Sequence, residues 1–277
     1  MTAHQFHVNV NLGALLGQLQ VAIQRTIHLT ALGLNAVSRL SQEDLQLPGT
    51  SIQLSLAGPS PWPIEEAQET FSHWTLVNGF RDASEAISGF LESTRTVLAV
   101  WQLGIRQQST PLTIGNWQEA VESEGRRFHR SGLPDKIEHL QQTYGLSLDP
   151  DLIMHIRSIN AARNCLVHRG GVVQERDTNE AGALRVSWRR LTLLVSGENG
   201  EREIFPSGII EAGESLGVAY RDAAKMFSVG TTISFSVQEF ADLCWSLFLF
   251  GVSTTKLVEN WGAEHGFNLQ MPQDTTT

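Results

Sequence analysis

The chain has 277 residues, of which 41% are hydrophobic and 18% are charged, and its formal net charge is −9. This composition is typical of a globular protein with enough apolar material for a core, and it argues against extensive disorder. The acidic balance argues against a non-specific nucleic-acid binder, because binding by counterion release requires clustered Lys and Arg side chains.

Cysteine content and hydrophobic patterning predict a cytoplasmic protein. Only two cysteines occur, Cys165 and Cys244, which indicates reduced thiols rather than a disulfide framework. The first residues lack the basic, apolar and small-residue pattern of a signal peptide. The most apolar run, Leu243 to Val252, is too short and too polar at its edges to cross a bilayer. We therefore expect no membrane partner. No Cys or His cluster has metal-ligand spacing, so we expect no metal site.

The first half of the chain predicts long helices. Apolar residues at three- and four-residue spacing predict a first helix from Asn11 to Leu40. The proline-rich segment from Ser41 to Pro63 predicts a loop. Pro63, with two glutamates shortly after it, is typical of a helix start, and we expect a second helix to about Leu103. Residues 113–145 predict two shorter helices.

The next segment predicts a helix with clear start and stop signals. Asp149 and Pro150 are suited to its N-cap and first position, and Gly170 and Gly171 are suited to the left-handed residues that end a helix. Helical phasing places Ile156, Ile159, Ala162 and Leu166 on one face, and Arg157, Asn160, Asn164 and His168 along the opposite ridge.

Arg163 is the exception to this phasing, because it falls on the apolar side. A guanidinium cannot lose its proton to escape burial, so it must either pair with a carboxylate or face a cleft. Three acids of the second helix are candidate partners, and the sequence does not choose among them: Asp82, Glu85 and Glu92. His168 lies in the last turn, where it could serve only to interact with the carboxyl end of its own helix.

In the last third of the chain, hydrophobic residues recur at every second position, as in a β-strand. From Leu184 the alternation predicts a β-hairpin with a turn at residues 197–200 and a return strand near Ile204. Residues 207–235 predict further extended chain, including Thr231 to Phe235. Ser236 and Glu239 form a capping box for a closing helix to about Trp261, and a loose tail is expected over residues 270–277. The predicted fold is mainly α: a single domain over residues 1–277, with a β-rich insertion at about 183–235 before the last helix.

The distribution of charge predicts one locally basic region. Residues 121–190 hold eleven Lys and Arg against nine Asp and Glu, although the whole chain is acidic. A locally basic site on an acidic body is compatible with specific RNA, and the alternative is a set of solvated arginines paired with nearby acids. The candidate RNA-binding residues are Arg126, Arg127, Arg130, Arg157, Asn160 and Arg169.

The residues Arg163-Asn164-x-x-x-His168 resemble the signature of the HEPN superfamily, many of whose members are metal-independent endoribonucleases. The likeness covers the signature and, more loosely, the long helices before it and the β-rich segment and helix after it. It implies a HEPN-like helical bundle that forms a homodimer, with two signature helices facing one cleft and no metal or cofactor. It further implies that His168 acts as general acid or base, that Arg163 clamps the phosphate and that Asn164 positions groups in the cleft.

Two classes of function follow from this resemblance. The first is an endoribonuclease in which the 2′-hydroxyl attacks the adjacent phosphorus, leaving a 2′,3′-cyclic phosphate and a 5′-hydroxyl. Such an enzyme would act on RNA as a toxin, stress or anti-phage effector, restrained by an antitoxin or regulatory protein. The second class is a non-catalytic HEPN-like module for dimerisation, nucleotide binding or protein binding. The complete signature favours the first class, and the acidic composition favours the second.

Overall fold

The computed structural model describes residues 10–45, 62–106, 114–197, 200–204 and 208–267. The fold is mainly α, as predicted, with a small antiparallel sheet that precedes the last helix in the chain. The helices are α1 (Leu12–Val37), α2 (Ile64–Arg106), α3 (Ile114–Trp117), α4 (Glu124–Arg130), α5 (Leu133–Tyr144), α6 (Pro150–Arg169) and α7 (Val237–Glu264), and the strands are β1 (Ala183–Gly197), β2 (Gly200–Ile204) and β3 (Ser215–Ser228).

The long helices agree with the sequence predictions to within a few residues. α1 follows Asn11, whose side-chain oxygen accepts a hydrogen bond from the Ala14 N–H at 2.8 Å, as an N-cap residue does. α2 carries Glu65 and Glu66 in its first turn and continues three residues beyond the predicted end at Leu103. Between them, a short 3-10 helix spans Gln42–Leu45, and most of the predicted loop, residues 46–61, lies outside the described residues.

The segment predicted as two shorter helices contains an additional feature. A π-helical segment, Gln118–Ser123, connects α3 to α4 without a break in the helical path. α5 follows after Ser131 and Gly132 and ends at Gly145, whose φ of 69° is left-handed. Residues 114–144 therefore form two helical stretches, and the first of them carries a π insertion.

The sheet has the strand order β2-β1-β3, with both pairs antiparallel. The predicted hairpin is confirmed as β1 and β2, while residues 198 and 199 of its turn lie outside the described residues. The long strand β3 lies within residues 207–235, where extended chain was predicted, and it pairs with β1 from Ala183 opposite Ser228 to Ser196 opposite Ser215. Conversely, the extended segment predicted over Thr231–Phe235 forms only an isolated bridge, between Thr232 and Val172.

The closing helix α7 begins at the predicted capping box. The Glu239 N–H donates to Ser236 Oγ at 3.1 Å, and the Ser236 N–H donates to Glu239 Oε2 at 2.7 Å. Within the described ranges, α7 is the one helix long and apolar enough to cross a membrane, although half of its most apolar stretch is buried within the protein. A core helix of a soluble protein has the same properties. The predicted loose tail, residues 270–277, lies outside the described residues.

The chain divides into two compact units. Unit 1 comprises Met1–Ala22, Ser84–Arg157 and Ser246–Thr277, and unit 2 comprises Ile23–Ala83 and Ser158–Trp245. In unit 1, the rings of Trp101 and Trp261 stack with centroids 6.2 Å apart. In unit 2, the rings of Phe80, Phe227 and Trp188 each contact the ring of Phe235. The organisation as a single domain stays a prediction.

Candidate functional site at the end of helix α6

Helix α6 begins and ends at the residues that the sequence indicated. Asp149 Oδ1 accepts a hydrogen bond from the Asp151 N–H at 2.9 Å, which caps the amino end. At the carboxyl end Gly170 and Gly171 have φ angles of 60° and 76°, which are accessible at low cost only to glycine. The apolar face is buried as phased, and the opposite ridge carries exposed or half-buried side chains. The local sequence therefore fixes where the signature residues stand.

Arg163 is half-buried and contacts both other residues of the signature. Its Nη1 donates a hydrogen bond to Asn164 Oδ1 at 3.1 Å and lies 3.4 Å from His168 Nε2. In a straight helix, residues five apart differ by about 140° around the axis, so the contact depends on the reach of the arginine side chain. The structure thus brings Arg163, Asn164 and His168 together within one subunit.

The expected carboxylate partner of Arg163 is not found. Among the described residues no Asp or Glu pairs with its guanidinium; Asp82 and Glu85 are exposed, and Glu92 binds Lys136 and His129 instead. The Arg163 Nε is buried and has no hydrogen-bond partner in the described part of the chain. A buried guanidinium N–H without an acceptor is unfavourable. Arg163 is therefore held by neutral groups, and no neighbouring anion compensates its charge.

The contact with Arg163 places a ring nitrogen of His168 beside a cation. A guanidinium nitrogen can only donate, so the 3.4 Å contact is a hydrogen bond only when His168 Nε2 offers its lone pair. His168 is exposed at the end of the helix. In its neutral form, an imidazole at this position can accept a proton from a substrate, as a general base does.

Arg169, a candidate RNA-binding residue, pairs with a buried carboxylate. Its Nε donates to Asp177 Oδ2 at 2.8 Å, and its Nη2 forms an ion pair with Asp177 Oδ1. Only 13% of the Arg169 side chain and 3% of the Asp177 side chain are exposed. Asp177 also accepts the Gln174 N–H at 3.0 Å. The Arg169 guanidinium is thus committed to fixing the segment after α6, which does not support the predicted contact with RNA.

The remaining candidate RNA-binding residues lie on two helices. Arg157 is exposed on α6, and Asn160 is half-buried on the same helix. Arg126, Arg127 and Arg130 are exposed on α4, which belongs to unit 1. Their contact with RNA stays a prediction.

Two residues near the signature were not singled out by the sequence. His73 on α2 packs against the turn after α6 so closely that a Cβ on Gly171 would lie 2.6 Å from its Cε1. Cys165, inside the signature helix, is fully buried, and burial raises the pKa of its thiol. Cys165 therefore belongs to the core, while His73 supports the turn that carries the exposed end of the site. No local sequence signal indicated the contact between His73 and Gly171, since about one hundred residues separate them.

Comparisons with protein-family models, with curated proteins and with solved structures found no match to this chain. The resemblance to the HEPN superfamily therefore rests on the signature residues and on their arrangement.

Proposed function

We propose that the protein is a HEPN-like, metal-independent endoribonuclease in which Arg163, Asn164 and His168 act on the phosphate of RNA. The observation that supports this proposal most directly is the 3.4 Å contact between Arg163 Nη1 and His168 Nε2 at the exposed end of α6. A cation that binds phosphate oxygens and an imidazole that can take up a proton are two of the groups that the reaction requires.

In the proposed reaction, His168 Nε2 takes the proton of the RNA 2′-hydroxyl, and the resulting oxygen attacks the adjacent phosphorus. Arg163 stabilises the charge that develops on the non-bridging oxygens, since charge-assisted hydrogen bonds are strongest where charge accumulates. Asn164 holds the Arg163 guanidinium through the 3.1 Å hydrogen bond. The 5′-oxygen leaves with a proton from a general acid, giving a 2′,3′-cyclic phosphate and a 5′-hydroxyl.

One histidine cannot serve as base and acid in the same step, so the proposal includes a homodimer in which two copies of the signature face one cleft. Two copies would bring a second His168 to the cleft, so that one ring acts as the base and the other as the acid. The proposed setting is the cytoplasm, and the proposed biological role is that of a toxin, stress or anti-phage effector restrained by an antitoxin or regulatory protein.

A second function is favoured by a different observation. The Arg163 Nη1 already contacts Asn164 and His168 within a single subunit, and Arg169 is committed to Asp177. Together with the net charge of −9, this favours a non-catalytic HEPN-like module that dimerises or binds a nucleotide or protein.

Cleavage of total cellular RNA in EDTA distinguishes the two functions. The variants are Arg163→Ala and His168→Ala, and the matched controls are Arg25→Ala and His28→Ala, which remove exposed residues of the same types from α1. We expect the wild-type protein and both controls to cleave, and each signature variant to lose activity by about 100-fold or more. Cleavage that persists in the signature variants would indicate another site or a contaminating enzyme. Absence of cleavage by every form would favour the binding module.

A further inference from the structure

A cavity of about 450 Å³ lies in unit 1, outside the signature site. Its volume falls in the range of small-molecule binding pockets, about 300 to 1,000 Å³. α2 and the stretch from the π-helical segment to the end of α4 line the cavity, and both supply charged side chains. The lining residues that matter here are Glu92, Arg95, Val121, Arg126, Phe128, His129 and Arg130.

Within the cavity a carboxylate orients a histidine. His129 Nδ1 lies 2.8 Å from Glu92 Oε2, and the ammonium group of Lys136 binds the other carboxylate oxygen, Glu92 Oε1. Partial burial alone would raise the pKa of Glu92, but hydrogen bonds and charges from Lys136 and His129 outweigh it and lower that pKa. Since an ionised carboxylate can only accept, His129 Nδ1 must carry the proton. Nε2 is therefore the ring nitrogen that remains for a ligand.

The floor of the cavity is held by a buried arginine. The Arg95 side chain is only 1% exposed; its Nη2 binds Glu124 Oε2 at 3.0 Å, and its Nη1 donates to the Val121 carbonyl at 3.3 Å. Val121 belongs to the π-helical segment, a type of insertion that is frequent at functional sites. Gly125 permits this approach, since a Cβ there would lie 3.2 Å from Arg95 Nη1. The floor of the cavity is thus a buried arginine whose charge is paired with Glu124.

Two exposed arginines at the rim of the cavity contribute little to holding the fold together. Arg126 pairs only loosely, with Glu122 at 4.0 Å, and both side chains are more than half exposed. Such exposed pairs contribute little to stability. Arg130 forms no ion pair with any residue in the described part of the chain. Because Arg126 and Arg130 are four residues apart in one helix, they lie on the same face, with His129 beside them.

We propose that this cavity binds a small phosphate ester, with Arg126 and Arg130 holding the phosphate oxygens and His129 contacting them through Nε2. Guanidinium groups match the geometry of phosphate. Phe128 and Val121 also line the cavity and offer apolar surface to the organic part of the ester. This site is independent of the proposed ribonuclease activity, because it shares no residue with the signature.

Titration calorimetry of the full-length protein with AMP, inorganic phosphate and adenosine tests this proposal. We expect saturable binding of AMP, binding of inorganic phosphate that is weaker by about ten-fold, and no binding of adenosine. The double variant Arg126→Gln/Arg130→Gln should bind AMP about ten-fold or more weakly than the wild type. The control is Arg127→Gln, which removes the same charge from the same helix at a residue that does not line the cavity, and it should bind as the wild type does.

Four results would overturn the proposal. Equal binding of adenosine and AMP would show that the phosphate is not recognised, and equal binding of inorganic phosphate and AMP would show that an ester is not. An equal loss in Arg127→Gln would show that diffuse surface charge is responsible. Absence of saturable binding of AMP and phosphate up to about 10 mM would exclude the site.

Discussion

Lys136 is a buried cation held by a carboxylate, as Arg95 is. It is 1% exposed, and it binds Ser88 Oγ and Glu92 Oε1 in unit 1. Its Nζ also lies 5.6 Å from the centre of the Phe128 ring. An ammonium group in such a place is tolerated only because its charge is paired.

We predict that Lys136→Met destabilises the protein by about 3 kcal/mol, measured by urea unfolding. This is the lower end of the range for a broken buried pair, because Glu92 is 29% exposed and can be partly hydrated. The double variant Lys136→Met/Glu92→Leu should recover part of the loss, since it removes both charges. If the double variant is less stable than Lys136→Met, the pair is not the cause of the loss.

The same pair gives a prediction for acid stability. The pKa of Glu92 is lowered in the folded protein, so its contribution is present above about pH 4.3, the ordinary value, and is lost as the pH falls through the lowered pKa. We expect the difference in unfolding free energy between wild type and Lys136→Met to shrink over that acid range. A difference that stays constant from neutral pH into acid would contradict the assignment.

At the scale of elements, the turn after α6 contains two glycines that differ in the space available for a side chain. Gly170 and Gly171 are both left-handed, but a Cβ on Gly170 meets nothing within 4 Å, whereas one on Gly171 would meet His73 at 2.6 Å. We predict that Gly170→Ala costs about 1 kcal/mol, from the backbone alone. Gly171→Ala should lower the free energy of unfolding by more than Gly170→Ala does. In the double variant Gly171→Ala/His73→Ala, that additional loss should disappear. Equal losses in thermal or urea unfolding would show that the contact with His73 is unimportant.

The signature helix is also joined to the sheet by one buried serine. Ser158 Oγ accepts the Ser187 N–H at 2.9 Å and donates to the Ser187 carbonyl at 3.0 Å, which connects α6 to β1. We predict that Ser158→Ala lowers the free energy of unfolding by about 2 kcal/mol, because buried backbone groups lose a partner. Ser147→Ala, at an exposed position, is the control and should change stability by less than about 0.5 kcal/mol. Comparable losses in both variants would contradict this role for Ser158.

The sequence predicted those elements whose signals are local. Proline, capping residues and glycines marked the ends of α6 and α7, and apolar spacing marked α1 and α2. Extended chain was predicted over residues 207–235, but the bounds of β3 were not, because most of its residues are exposed on both faces and it contains Gly217, Ala219, Ala223 and Ala224, so it lacks the usual alternation. Its strand conformation depends on pairing with β1, a partner that only the tertiary structure supplies.

The residues of the candidate site were predictable from the sequence, but their contacts were not. The sequence identified Arg163, Asn164 and His168, but the phasing that placed them on different sides of the helix could not show that one long side chain closes the gap. The partners of Arg169 and Glu92 were not predictable either. Asp177 follows beyond the helix end, and Lys136 is 44 residues from Glu92 in the chain.

At the scale of the whole molecule, the proposed mechanism requires two copies of the chain. Sedimentation at micromolar concentration should give twice the chain mass of 30.6 kDa. A composite site needs the second subunit to supply the general acid, so a dimer should be present under the conditions of the cleavage assay. A protein that is strictly monomeric there would contradict the composite site, even if it binds RNA.

The most direct test of the central claim is the chemistry of cleavage itself. A defined RNA that the wild-type protein cuts is compared in EDTA with the same RNA carrying 2′-O-methyl groups, and the product ends are identified by mass spectrometry. We predict cleavage of the unmodified RNA into 2′,3′-cyclic phosphate and 5′-hydroxyl ends, no cleavage of the methylated RNA, and loss of activity in His168→Ala. Cleavage of the methylated RNA, or activity that disappears when EDTA removes divalent metal, would contradict attack by the 2′-hydroxyl at Arg163 and His168.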